Sequence, residues 1–292
     1  MEKNLMRIVF ASGKGGTGKT TIAVNFAYFL AASKKRVQYL DCDVEEPNGQ
    51  IFLKPAIDNR KPTKVMAPVI DQSKCTSCGE CSSKCQFNAL VTLPGNILIF
   101  PELCHGCGLC VKVCPENAIK EGEREIGYTE TGKSENNLEF IQGALNVGEP
   151  MAAPLIQEVK RQYNEDCIQI IDAPPGTSCP VVKTIADADA VVMVTEPTPF
   201  GLHDLKVAVS MAQNMGKLIG VVINREKGEF LPLENYLTKN KLPVLMTLPE
   251  DRDIARHYSL SYLIVKTLPI YIDRFEMLSV NLEKMLGKKK DR

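Results

Sequence analysis

The chain has 292 residues, 44% apolar and 24% charged, with 35 basic side chains against 35 acidic ones. This is the composition of a globular chain with room for about two domains, and it excludes a mostly disordered one. Zero formal net charge argues against a dedicated nucleic-acid binder, and no apolar run reaches the roughly 18–20 residues that span a bilayer.

The first residues show no signal-peptide pattern, so a cytoplasmic protein without stable membrane association is expected. Residues 7–11 (RIVFA) read as a short apolar strand, followed by SGKGGTGKT and a helical stretch, TIAVNFAYFLAAS. Residues 36–40 (RVQYL) form a second strand that ends in DCDVEEPNG. From about Lys61 the composition changes, and KPTKVMAPVI leads into a cysteine-rich segment that runs to about Lys120. The polar stretch after it suggests a hairpin with its turn near Glu130–Gly132. Then come a helix in MAAPLIQEVKRQY, strands at 168–171, 189–194, 217–224 and 242–249, and helices around 180–187 and 201–214. Apolar runs alternating with helices predict an α/β fold whose mostly parallel sheet is covered on both faces. In 268–287, Tyr271, Phe275, Leu278, Leu282 and Met285 recur at helical spacing. A helix packed on the core is favoured there over a membrane-surface helix, because Lys288–Lys290 follow the apolar face instead of lining a polar one.

Gly13-Lys14-Gly15-Gly16-Thr17-Gly18-Lys19-Thr20 fits the phosphate-cradling pattern between a strand and a helix, with Thr21 next in line. Backbone N–H groups of such a loop turn toward phosphate oxygens, the lysine of the GKT end (Lys19) reaches the β/γ-phosphates, and the Thr20 hydroxyl suits Mg²⁺. The cradle itself does not require Lys14. With that lysine, the loop resembles the deviant Walker A motif, KGGxGKT, of the MinD/ParA class of P-loop ATPases. The resemblance implies an ATP-dependent homodimer in which Lys14 reaches the phosphates bound by the other subunit. It further implies that Asp43, in Asp41-Cys42-Asp43, orients the attacking water, and that Asp172 holds Mg²⁺ through water. Residues 173–177 look like the switch II segment that follows. Asn224 matches an asparagine that reads adenine, and Pro249 and Asp251 match a second adenine-side loop. Asp41 reads equally as a supporting partner of the site or as strand-end punctuation.

Eleven cysteines are present, eight of them between Cys75 and Cys114. In a reducing compartment this density reads as metal ligation rather than disulfides. Cys75-x2-Cys78-x2-Cys81-x3-Cys85 repeats 29 residues later as Cys104-x2-Cys107-x2-Cys110-x3-Cys114-Pro115. This duplication matches the bacterial ferredoxin frame, in which the fourth cysteine of each run serves the other cluster. Cys75, Cys78, Cys81 and Cys114 would hold one [4Fe–4S] cluster, and Cys85, Cys104, Cys107 and Cys110 the other. Zinc is the competing metal, but zinc sites usually pair two C-x2-C units across a longer gap. Gln86 stands where the second run has Pro115, and His105 reads as a surface residue.

The expected architecture is a P-loop ATPase (1–63 and 122–292) interrupted by a small α+β, ferredoxin-like domain (64–121). Three cysteines remain. Cys42 lies between two aspartates, Cys167 precedes a strand, and Cys179 stands before Pro180 at a helix start. The nitrogenase iron protein, a member of the same class, has a cluster-bridging cysteine at the offset of Cys179 from Asp172. It needs a second one from the preceding region, and none occurs here between Cys114 and Cys167. Three functions are consistent with these motifs. One is an ATPase that couples its cycle to electron transfer through two clusters, serving a redox or metallocluster-acceptor protein. Another is an iron–sulfur carrier or scaffold. The third is a spatial organiser like the division and partition members of the class. Because the cluster segment enters between Asp43 and Asp172, nucleotide state is expected to reach it, unless it swings freely on its flanking segments.

Overall fold

A computed structural model describes residues 6–290, with side chains described as far as residue 287. Nine strands form one sheet in the order β11-β10-β9-β1-β8-β2-β7-β6-β3. Its parallel part contains β1 (Arg7–Ala11), β2 (Val37–Asp41), β7 (Glu139–Leu145), β8 (Ile168–Asp172), β9 (Ala190–Thr195), β10 (Ile219–Glu226) and β11 (Val244–Pro249). Alternation along each strand divides the core in two. Ile8, Phe10, Tyr39, Ile170 and Val192 face α1 (Lys19–Ala32) and the C-terminal helix. Val9, Leu40, Ile171, Val191 and Met193 face the other layer, which includes α5 (Ala152–Lys160), α6 (Cys179–Ile185), α7 (Pro199–Asn214) and α8 (Leu231–Lys239). The remaining main-domain helices are α2 (Gly49–Leu53), α9 (Arg252–Ser259), α10 (Ile264–Thr267) and α11 (Ile272–Lys290).

Tyr271 and, on α11, Phe275, Leu278, Leu282 and Met285 are buried against the first core layer. Full burial of each such aliphatic or aromatic side chain contributes about 1.5–3 kcal/mol. This apolar face is therefore taken up by the core and is not offered to a membrane. Lys288–Lys290 lie outside the residues whose side chains are described. Among the described residues no helix is long and apolar enough to cross a membrane.

The other edge of the sheet departs from the sequence reading. The expected turn near Glu130–Gly132 does not exist, because Ile119–Lys133 is one uninterrupted strand, β6. Gly132 serves strand proximity instead of a turn: a Cβ there would stand 2.3 Å from the Ala56 carbonyl oxygen. The chain reverses at 134–138, where Asn136 and Asn137 take φ values of 57° and 55°. Asparagine tolerates this left-handed region better than most residues.

β6 pairs antiparallel along its length with β3 (Ala56–Ile70), but with β7 only from Gly127 to Lys133. The ribbon therefore has a base inside the sheet and a stalk, Lys64–Ile70 with Ile119–Glu125, that continues beyond it. A register shift between Thr63 and Lys64 marks the transition. The flanking segments KPTKVMAP and EGERE are thus paired strands, not free tethers. Arg124 of the stalk forms an ion pair with Glu149, a carboxylate only 5% exposed in the loop after β7.

At the end of the stalk, residues 71–118 contain α3 (Glu80–Lys84), a hairpin of β4 (Leu90–Leu93) with β5 (Asn96–Ile99), and α4 (Leu109–Val113). Their small core joins Cys81, Leu90, Ile97, Cys110 and Ile119. The sequence duplication is also present in the backbone. Ser77 and Gly106, Gly79 and Gly108, and Asn88 and Asn117 each share positive φ, with values paired within about 11°.

Candidate functional site

The glycine loop joins β1 to α1 at the carboxyl end of the parallel sheet, where ligands of open α/β sheets bind. Gly18 has φ 84°, and any Cβ there would stand 2.2 Å from Asn224 Nδ2. The tight loop therefore depends on glycine at this position. Asn224, at the far end of β10, donates from that nitrogen to the Thr17 carbonyl oxygen at 2.8 Å. The Thr17 hydroxyl is buried with no hydrogen-bond partner among the described residues. A buried donor left without a partner in this loop can be satisfied by a phosphate oxygen.

Lys19 opens α1 and is 6% exposed. Its ammonium pairs with Asp172 Oδ1 and lies 3.5 Å from Asp43 Oδ2 and 3.4 Å from Thr20 Oγ1. Burial disfavours its charge, but Asp172, Asp43 and Asp41 outweigh burial and hold the ammonium above its ordinary pKa. Burial, eased by Lys19 and reinforced by Asp172, pushes the Asp43 carboxyl up to about 6. Asp41 is fully buried and raised well above the usual carboxylate range by burial and by Asp172. Its Oδ1 accepts from Asp43 N at 3.1 Å and its Oδ2 from Gly49 N at 2.8 Å. Asp41 is therefore not strand-end punctuation. It pins the backbone that carries Asp43 to the first residue of α2.

A cleft of about 610 Å³ opens above these groups. Among the expected site residues, Gly15, Gly16, Gly18, Lys19, Thr20, Thr21, Asp43, Asn224, Pro249 and Asp251 line it. Gly13, Lys14, Thr17 and Asp172 are not on its wall. Lys14 is half-buried, and its carbonyl oxygen accepts from Ser12 Oγ at 2.7 Å. Asp251 caps α9, accepting from Asp253 N at 2.6 Å and from the Tyr271 hydroxyl, and these donors hold its carboxyl below the usual range. Arg225, Ile254 and Tyr258, which no motif in the sequence marks, also line the cleft.

The eight cysteines lie at the end of the stalk. One cavity is lined by Cys75, Cys78, Cys81 and Cys114, and a second by Cys85, Cys104, Cys107 and Cys110. Backbone N–H groups of Ser77 and Ala89 donate to the Cys75 and Cys85 sulfurs at 3.4 and 3.3 Å. Gly106 and Ala118 repeat these contacts on Cys104 and Cys114 at 3.4 and 3.3 Å. Burial, with the neighbouring thiols Cys114 and Cys75, pushes Cys81 up, and burial with Cys104 and Cys107 does the same to Cys110. Among the described residues no set of three or more His, Cys, Asp or Glu side chains is arranged to hold a metal ion. His105 is an exposed residue stacked on Phe87, with centroids 3.9 Å apart. Cys42 and Cys167 are buried, while Cys179 is exposed at the first position of α6.

A phosphate loop at the carboxyl end of a parallel sheet, with a buried lysine among carboxylates, defines a P-loop ATPase. Residues 8–260 match the family model of the CobQ/CobB/MinD/ParA nucleotide binding domain, and the chain belongs to that family. An uncharacterized protein of Methanocaldococcus jannaschii is 35% identical over 261 residues, covering 86% of this chain and 87% of that one. The iron-sulfur cluster carrier protein of the same organism is 25% identical over 234 residues, 77% of this chain and 61% of that one. A stretch of 56 residues, 19% of this chain, is 41% identical to 9% of the indolepyruvate oxidoreductase subunit IorA of Methanothermobacter marburgensis. In fold, the chain is similar to the septum site-determining protein MinD of Pyrococcus horikoshii complexed with Mg-ADP. The TM-score is 0.59 at 20% identity, covering 98% of this chain and 99% of that one. ATP and Mg²⁺ fit the site of such an ATPase.

Proposed function

We propose that this ATPase carries two [4Fe–4S] clusters in an inserted ferredoxin-like domain and couples its nucleotide cycle to electron transfer toward a partner protein or its metal centre. The observation that carries the reading is the sorting of eight thiols into two cavities. Each is lined by three cysteines of one repeat and the fourth of the other. Thiolates around a cubane bind separate irons and stand farther apart than donors converging on one ion, so four thiols around a shared cavity suit a cluster better than zinc. The N–H···S contacts at equivalent positions in both repeats favour charged, cluster-bound sulfur. When bound, the clusters supply one-electron redox capacity.

In the same reading, Gly13–Thr21 cradle the phosphates, and Thr20 and Asp172 would hold Mg²⁺, which would supply positive charge against the phosphates. Asp43 orients the attacking water, and Asn224, Pro249 and Asp251 form the adenine side. Lys14, off the cleft wall, serves the nucleotide of a second copy in an ATP-dependent homodimer.

A carrier role has one observation in its favour, the 25% identity to an iron–sulfur cluster carrier protein. Anaerobically purified protein is expected to contain about eight irons per chain, two four-iron clusters. Those irons are expected to remain after incubation with an apo-acceptor protein and gel filtration. Stoichiometric zinc with negligible iron would overturn the cluster reading, and transfer of the iron to the acceptor would replace electron transfer with carriage.

A further inference from the structure

Tyr39 is fully buried in the middle of β2, between Ile170 of β8 and Phe140 of β7. Its ring stacks on Phe140, with centroids 5.9 Å apart and planes 15° from parallel. Phenylalanine would fill that space equally well. A buried phenol needs a hydrogen-bond partner, since an unmatched buried hydroxyl is destabilising. The partner is Asp172, whose Oδ2 accepts from the Tyr39 hydroxyl at 3.2 Å while Oδ1 meets Lys19. Burial, followed by the Asp172 charge, holds the phenol in its protonated, donating form. The edge of the same ring touches the segment leading out of Asp43: a Cβ on Gly49 would stand 2.5 Å from Tyr39 Cε1.

We infer that Tyr39 is a positioning residue for Mg²⁺: its hydroxyl fixes the rotamer of the Asp172 carboxylate and so sets the affinity of the site for the ion. The inference rests on the reading that Asp172 holds Mg²⁺. Groups that orient a metal's ligands are typically worth 10–100-fold in metal affinity. Asp172 is expected to act through water, so an effect near the lower end, about tenfold, is expected.

The test is an equilibrium titration of Mg²⁺ into protein holding fluorescent N-methylanthraniloyl-ADP, with fluorescence as the readout. Tyr39→Phe is expected to raise the half-saturating Mg²⁺ concentration about tenfold. Asp172→Asn is expected to raise it further, and the double variant to match Asp172→Asn alone. Phe140→Leu loosens the ring stack but keeps the hydroxyl, so it should lower the melting temperature and leave the Mg²⁺ midpoint near wild type. A Tyr39→Phe midpoint equal to wild type, beside a shifted Asp172→Asn, would overturn the inference alone. So would additive effects in the double variant, or a Phe140→Leu shift as large as that of Tyr39→Phe. An unshifted Asp172→Asn would remove the Mg²⁺ reading together with the inference.

Discussion

Cys85→Ala protein, purified anaerobically, is expected to hold about four irons per chain where wild type holds about eight. In a redox titration it should lose the same one of two reduction waves that Cys110→Ala loses, and keep the one lost in Cys81→Ala. By sequence order Cys85 belongs with Cys75, Cys78 and Cys81. In the fold it lines the cavity of Cys104, Cys107 and Cys110, while Cys114 crosses to the other. The crossing follows from two short helices, α3 and α4, that pack together and each end at a fourth cysteine with φ near −74°. If Cys85→Ala behaves like Cys81→Ala, the crossed grouping is wrong, and with it the assignment of ligands to clusters.

The two lysines of the phosphate loop are expected to fail in different ways. Lys19→Ala removes the cation that neutralises Asp172 and Asp43, and Asp41 behind them. Deleting one partner of a buried ion pair typically costs about 3–5 kcal/mol. Lys19→Ala should therefore lose nucleotide binding and also unfold at markedly lower urea. Lys14 is half-buried, off the cleft wall and outside that carboxylate cluster. Lys14→Ala should keep wild-type stability and ATP binding but remain monomeric with ATP and hydrolyse it poorly. Light scattering with a non-hydrolysable ATP analogue gives the answer, and dimerisation of Lys14→Ala at wild-type ATP concentrations would contradict a role across the subunit boundary.

The phosphate loop and the doubled cysteine spacing were legible in the sequence because each is carried by short, fixed spacings. The parallel strands were legible because burial on both faces leaves continuous apolar runs such as residues 190–194. The stalk was not. β3 is charged, contains Pro62 and is largely exposed, so its strand character comes from β6, some 60 residues away, rather than from its own pattern. β7 carries Gln142 and Gly143, which break its apolar run and hid it until β2 and β6 were seen on either side of it. Glycine at 132 suggested a turn, whereas two asparagines further on make it. The roles of Tyr39 and Asp41 depend on Asp172 and Gly49, residues brought to them by the sheet and by α2, and no local spacing announces them.

The same edge of the sheet links the segment after β2 to the ribbon that bears the cysteines. Val44, next to Asp43, accepts from Leu145 N at 2.9 Å, and Asn146 N donates to the Ile126 carbonyl oxygen at the base of the stalk at 2.9 Å. Asp43 is thus two backbone hydrogen bonds from the ribbon that bears the cysteines. A ligand shifts a conformational equilibrium only through differential affinity for its states, and the resulting coupling is reciprocal. The direct test is the midpoint potential of each cluster, measured with and without Mg²⁺ and a non-hydrolysable ATP analogue, beside the affinity of that analogue for oxidised and reduced protein. A coupling of about 1–3 kcal/mol predicts a shift of roughly 40–130 mV for a one-electron couple and a matching change in affinity of about 5–150-fold. Identical potentials and identical affinities would contradict the account and leave an ATPase and a cluster domain that share a chain without sharing energy.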